Sequence, residues 1–252
     1  MKMLIDAHCH VLSSEYDDVN EIIKETLNSE IDKIIINGYD LESSKEAVFL
    51  AEKYDNVYAA VGIGPQNIDG VTTFDIEQIE NLCSSKKVVA IGEIGLDYYW
   101  TIDMKQKQIE IFESMLTIAK NNKLPVIVHS RKAIFDTYNL IKEYNVTGIM
   151  HCFSGSSEMA KEFIKLGFLI GVGGVITFKN SKEIKAVVSS IELDDIALET
   201  DSPYLTPEPF RGRKNMPSYV IYVVDKIAEL KGVTRDAVIS KTSNAVTSKF
   251  DL

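Results

Sequence analysis

Six side chains in this sequence could act together on one substrate. The chain holds four histidines, His8, His10, His129 and His151, and each lies at the end of a run of β-forming residues. In a strand, residues two apart face the same way. His8 and His10 can therefore offer two imidazoles to one ion, and Asp6, at the same parity, is placed to orient one of them. Glu93 follows Val89 and Ile91 at the same parity and extends their inward column, where a carboxylate needs a cation or hydrogen-bond donors. Asp201 follows Ile196–Thr200 at the tip of another such run. A single catalytic zinc usually takes three protein ligands. Four imidazoles and two carboxylates therefore suggest two divalent ions, ~3.5–4 Å apart, with a bridging carboxylate. Mixed nitrogen and oxygen donors suit Zn, Mn, Co or Fe, and suit Mg less well. Two such ions would leave the cluster net positive and able to bind an anion despite the chain's formal charge of −10.

Other residues stand near these six. Arg131 follows His129 by two positions, and Arg211, Arg213, Lys214 and Asn215 come after the last strand pattern; arginine clamps phosphate with directional hydrogen bonds. Tyr98-Tyr99-Trp100 follows Glu93 closely, and rim aromatics can stack on bases or cover a pocket. Gly171-Val172-Gly173-Gly174 is a weak candidate for a phosphate turn. Cys9 and Cys152 adjoin histidines, and strand alternation turns them outward as packing residues.

The elements that must position these groups alternate. Strand-like runs occupy Leu4–His8, Lys33–Asn37, Val57–Gly62, Val88–Glu93, Val126–His129, Gly148–Cys152, Phe168–Val172 and Ile196–Thr200. Most are apolar throughout, as expected for strands buried on both faces. Helical periodicity fills the gaps at 18–29, 43–54, 74–84, 104–122, 131–144, 156–166, 180–190 and 217–231, with a last helix over 234–248 capped by Thr234. Eight βα units in a chain of this length predict one domain over residues 1–252, a (β/α)8 TIM barrel, whose active site belongs at the C-terminal ends of its strands. An open doubly wound sheet would carry a Gly-rich fingerprint after its first strand, and Asp6-Ala7-His8-Cys9-His10 is none.

With 45% hydrophobic and 25% charged residues, the chain is ordinary for a globular protein and too apolar for disorder. The negative charge argues against bulk coating of nucleic acid. No apolar run spans a membrane, and Met1–Asp6 lacks an export signal. Three cysteines, an odd number, point to reduced thiols and a cytoplasmic setting; no obligate protein partner is expected.

Five blocks in order resemble the TatD family of metal-dependent hydrolases, described as deoxyribonucleases. They are Ile5–His10, Ala90–Tyr99, Leu124–Arg131, His151–Gly155 and Leu198–Tyr204. The resemblance implies a distorted TIM barrel of the amidohydrolase type. It also implies His8, His10, Glu93, His129, His151 and Asp201 as metal ligands, with Glu93 bridging. Gly64 and Gln66 stand where the family usually has two histidines, Met216 stands for a glutamate, Lys132 replaces a frequent acid and Met115 a common glutamine. The expected function is a metal-dependent phosphodiesterase that hydrolyses DNA from single-stranded ends, 3′ to 5′, by attack of a metal-bound hydroxide. Asp201 and Glu93 would be the catalytic carboxylates, and Gln66, Arg131, Tyr204, Arg211 and Asn215 the substrate contacts. The altered substrate residues keep two alternatives open. One is hydrolysis of another ester or amide, such as a lactone, an aryl ester or a D-aminoacyl-tRNA; the other is a metal-bearing scaffold without turnover.

Overall fold

The structure is a computed structural model that describes residues 3–100 and 102–252; Met1 and Lys2, part of the N-terminal stretch read above, lie outside it. Among the described residues, eight strands form one parallel sheet in sequence order. They are β1 (Leu4–Cys9), β2 (Ile31–Asn37), β3 (Val57–Val61), β4 (Val88–Asp97), β5 (Val126–Arg131), β6 (Gly148–Met150), β7 (Phe168–Val172) and β8 (Ile196–Leu198). Helices α1 (Val19–Asn28), α2 (Leu41–Lys53), α3 (Thr73–Leu82), α4 (Lys105–Asn122), α5 (Ile134–Tyr144), α6 (Ser157–Lys165), α7 (Lys182–Ser190) and α8 (Val220–Lys231) follow the strands in turn, and α9 (Arg235–Phe250) ends the chain. Local sequence starts several of them. Asp18, Asp40, Thr72, Ser156 and Thr234 each accept a backbone N–H of the first turn, the interaction that makes such residues good N-caps.

The sheet closes on itself almost completely. The seam between β1 and β8 is held by backbone bonds beyond the end of β8, from Asp201 N–H to the His8 carbonyl (3.0 Å) and from His10 N–H to the Ser202 carbonyl (2.7 Å). Asp6 reinforces it by accepting the Thr200 N–H at 2.9 Å and the Thr200 hydroxyl at 2.5 Å. This is a barrel of eight βα units.

Two apolar cores result. The larger lies between sheet and helices. The smaller takes at least one residue from every strand, among them Ile5, Ala7, Ile35, Ala60, Ile127, Ile149, Leu169 and Ala197, and so fills the barrel. Val246 and Phe250 of α9 join this inner cluster. Lys249 Nζ donates to the Gly167 carbonyl just ahead of β7, which places α9 across the N-terminal end of the barrel. The C-terminal end is left for chemistry.

Candidate metal centre

All six groups converge at the C-terminal rim, but strand alternation alone accounts for only part of that. His129 shares the parity of Ile127, and His151 that of Ile149, both inner-core residues. Asp201 shares the parity of Ala197. Two strands break the pattern. On β1, Asp6 pairs with Ile34 and Cys9 with Ile36, so the first strand advances three residues against two. Ile5 and Ala7 face the inner core, whereas Cys9 faces the outer one. The bulge between them turns His8 and His10 inward and leaves Asp6 off their face. On β4, Ile91 pairs with Val126 and Ile94 with Val128, again three against two. Ile91 packs in the outer core, so Glu93 does not extend its column; the bulge brings the carboxylate inward. Gly95 in the same stretch has φ of 138°, and a Cβ there would fall 2.0 Å from the His129 carbonyl oxygen, so only glycine lets β4 lie against β5 here.

The expectation that Asp6 orients an imidazole is corrected by this geometry. Its carboxylate bonds Thr200 and the backbone N–H of His8 (3.3 Å), and so serves the barrel seam.

His8 Nε2 and His10 Nε2 are 3.0 Å apart. Asp201 Oδ1 lies 3.4 Å from the first and 3.5 Å from the second. Glu93 faces both ways: Oε2 is 3.3 Å from His10 Nε2 and 3.6 Å from His8 Nε2, and Oε1 is 3.0 Å from His129 Nδ1. His151 Nε2 is 3.7 Å from Asp201 Oδ1, and its ring stacks on His8 with centroids 3.6 Å apart. The ligand atoms of His8, His10 and Asp201, and those of His8, Glu93 and His151, each lie within 4.8 Å of one another.

The far nitrogens matter as much. His129 Nε2 faces Asp97 Oδ2 at 3.1 Å, His151 Nδ1 faces Glu199 Oε2 at 3.2 Å, and His10 Nδ1 faces the Asn37 carbonyl at 2.8 Å. A partner on one ring nitrogen fixes the tautomer and offers the other nitrogen as a ligand. Glu199 is itself held by the Cys152 N–H at 2.6 Å. His8 differs, since its Nδ1 is buried without a hydrogen-bond partner, although Nε2 sits among the other donor atoms. A cluster of lone-pair donors with outward nitrogens tied back to carboxylates and a carbonyl fits a cation at its centre.

Proton sharing in the cluster shows the same demand for positive charge. Burial opposes charge on His10, but Asp201 and Glu93 outweigh it and raise its pKa to about 10. Burial likewise opposes charge on His129, and Asp97 and Glu93 raise it to about 9. Burial, helped by His151 beside it, lowers His8 to about 4. Glu93 and Asp201 are held ionised well below the usual carboxylate range; burial works against this, and the neighbouring imidazoles overcome it. In the absence of a cation, protons on His10 and His129 take its place.

A cavity of about 810 Å³ opens above the cluster. Gln66, Arg131 and Tyr204 line it, together with Tyr39, Trp100 and Glu15. Two expected substrate contacts lie elsewhere. Arg211 stands over the Phe178 ring at 4.1 Å and does not line the cavity. Asn215 is fully buried, and its Nδ2 donates to the Thr200 and Tyr204 carbonyls, so it shapes the turn that carries Asp201. Cys9 packs in the outer core as its parity suggested. Cys152 lines the cavity instead, because β6 ends at Met150 and the chain turns at Cys152 with φ of 43°.

Three residues escaped the sequence reading. Glu199 was signalled by a charge inside an apolar run at the parity of Asp201. Asp97 shares a strand with Glu93, but the sequence reading ended that strand at Glu93, whereas β4 runs on to Asp97. Tyr39, whose ring is 5.6 Å from that of His10, carried no signal.

Known proteins give this arrangement a class. YabD of Bacillus subtilis (strain 168), named as an uncharacterized metal-dependent hydrolase, is 43% identical over 245 residues, 96% of each chain. The crystal structure of YjjV, a TatD homolog from Escherichia coli K12, superposes with a TM-score of 0.93 at 30% identity, covering 100% of this chain and 99% of that one. A phosphotriesterase homology protein from Escherichia coli, with phosphate in its active site, shares the fold alone: TM-score 0.66 at 14% identity over 96% of this chain and 98% of the other. The protein is thus a metal-dependent hydrolase built on a barrel. More narrowly, it belongs to the TatD related DNase family, whose model matches residues 5–251.

Proposed function

We propose that this hydrolase cleaves phosphodiester bonds of DNA at unpaired ends, in the 3′ to 5′ direction, with two divalent ions. The observation that carries the two-ion reading is the orientation of Glu93, whose two oxygens face different imidazole groups, His8 and His10 on one side and His129 on the other. His8, His10, Asp201 and Glu93 would hold one ion, and His129, His151 and Glu93 the second. Divalent ions bound there supply positive charge to phosphoryl oxygens and lower the pKa of water from 15.7 towards 7.

The chain's own residues do the rest. Asp201 stays ionised at neutral pH and can receive a proton from the attacking water. Asp97 and Glu199 fix the rings of His129 and His151. Arg131 lines the cavity and offers its guanidinium to the substrate phosphate. Among the described residues no helix is long and apolar enough to cross a membrane.

The test is incubation with 3′- and 5′-labelled single-stranded DNA across Mg, Mn, Co and Zn, with EDTA and Asp201→Asn controls. Metal-dependent laddering from the 3′ end, absent in both controls, is the expected result. A second reading, hydrolysis of another ester or an amide, draws on one feature: Gly64, Pro65 and Gln66 line the cavity without an imidazole. A protein that carries metal yet leaves DNA intact while it turns over a lactone or aryl ester would establish that reading instead.

A further inference from the structure

Beside the candidate metal centre, two aromatic rings stand open to solvent on a backbone tied to Asp97. Tyr99 is 53% exposed and Trp100 62% exposed. Their rings meet edge to face, with centroids 4.7 Å apart at 87°. Both backbone N–H groups donate to Asp97 Oδ1, at 2.9 and 3.1 Å. The other oxygen of that carboxylate faces His129 Nε2. The loop that carries the aromatics is therefore tied to the same group that orients a candidate ligand.

Arg131 completes the cluster. Its guanidinium carbon lies 4.1 Å from the Tyr99 ring centroid and 5.4 Å from that of Trp100. Among the described residues it is the one lysine or arginine on the cavity wall, where Glu15, Glu93 and Asp201 are acidic. Among the described residues, the guanidinium contacts are to these two rings and not to a carboxylate. Its donors are thus available to an anion, while the aromatic faces limit its motion.

We propose that Tyr99, Trp100 and Arg131 form the subsite for an unpaired nucleotide, in which Arg131 holds the phosphate and Trp100 stacks on the base. This rests on the phosphodiesterase reading above and supplies its selection rule. A base inside a duplex has both faces covered by its neighbours, whereas an unpaired one can turn a face to the indole. Phosphate contact without stacking would not distinguish a single strand from a duplex.

Trp100 is the sole tryptophan of the chain, so its emission reports on this subsite. The full-length protein is titrated with a phosphorothioate-linked oligothymidylate, then with a blunt hairpin duplex. Saturable quenching by the single strand at a Kd about 10-fold below that of the duplex is expected. Arg131→Gln weakens binding and lowers the slope of log K against log salt by about one. In hydrolysis, Trp100→Leu raises KM for the oligonucleotide about 10-fold, far more than for bis(p-nitrophenyl) phosphate, and Trp100→Phe restores most of the loss.

The failures separate. Normal oligonucleotide hydrolysis without quenching, or with Trp100→Leu unchanged, overturns the subsite and leaves the nuclease reading standing. Quenching without hydrolysis under any metal keeps the subsite and removes the nuclease reading. Equal losses on both substrates would mean that Trp100 only supports the loop. Emission that changes with protein concentration in the absence of DNA would assign the aromatics to a second copy of the chain.

Discussion

Asp201 is asked to do two things, hold an ion and receive a proton, and the two can be separated by experiment. Asp201→Asn keeps an oxygen donor but removes the base. Turnover is expected to fall about 10²–10⁴-fold while part of the bound metal remains, as measured by elemental analysis of the dialysed protein. Parallel loss of metal and activity would reduce Asp201 to a ligand. Glu199 acts only through His151, whose Nδ1 it faces, and it is anchored in turn by the Cys152 N–H. Glu199→Gln is expected to lower metal affinity about 10–100-fold in a chelator competition, with little change in the circular dichroism spectrum. Undiminished affinity would show that His151 is oriented by packing alone.

Between elements, the seam of the barrel and the contact of β7 with the β8 tip decide whether the site is held in register. Asp6 is buried and bonds both the backbone and hydroxyl of Thr200. Asp6→Ala strands those donors, and with unsatisfied buried groups costing ~1–3 kcal/mol each the loss should be about 3 kcal/mol. For a chain of this size, that is a fall in Tm of about 6–12 °C by scanning calorimetry; a fall under ~2 °C would mean that the backbone bonds close the seam unaided. A Cβ on Gly171 would lie 2.7 Å from Glu199 Oε2 and 2.8 Å from the Met150 carbonyl oxygen. Gly171→Ala should therefore displace Glu199 and weaken metal binding by a factor near that of Glu199→Gln, although position 171 is no ligand. Thermal melts and chelator competition on the same preparation would tell this from a general loss of stability.

At the scale of the molecule, the metal-free cluster makes stability and metal binding depend on pH in opposite ways. His10 at about 10 and His129 at about 9 have folded values above the ordinary histidine value of 6.5. Their contribution to stability is full below pH 6.5 and is lost as pH rises through 9 to 10. Burial raises Asp6 to about 8, with the same sign. The EDTA-treated protein should therefore lose Tm between pH 7 and 10. An entering cation must displace the protons on His10 and His129, so metal affinity should rise by about 10-fold per pH unit for each proton released. Calorimetric titrations at pH 6.5 and 8.5 in buffers of different ionisation enthalpy would measure that release, and an affinity flat across this range would contradict the protonated cluster.

The alternation of apolar strand runs with helical spacing, and the fall of every histidine at a strand end, made the barrel and the composition of its candidate metal site legible in the sequence. Those signals are local, because periodicity and strand-end position need no knowledge of the neighbours. His129, inside β5, then follows from simple alternation, whereas β6 ends at Met150 and β8 at Leu198, so His151 and Asp201 are set by the turns that follow those strands. His8, His10 and Glu93 do not follow from alternation either, because their inward direction depends on bulges in β1 and β4, where each strand spends three residues against two of its partner. A bulge is a property of two strands in register, and neither strand encodes it alone. The same holds for Asp6, which parity placed to orient an imidazole and pairing gave to the seam, and for Asn215 and Arg211, which loop packing turned away from the cavity. The carboxylates behind His129 and His151 belong with these, since a hydrogen bond between residues 32 and 48 positions apart exists only once the barrel has brought their strands together.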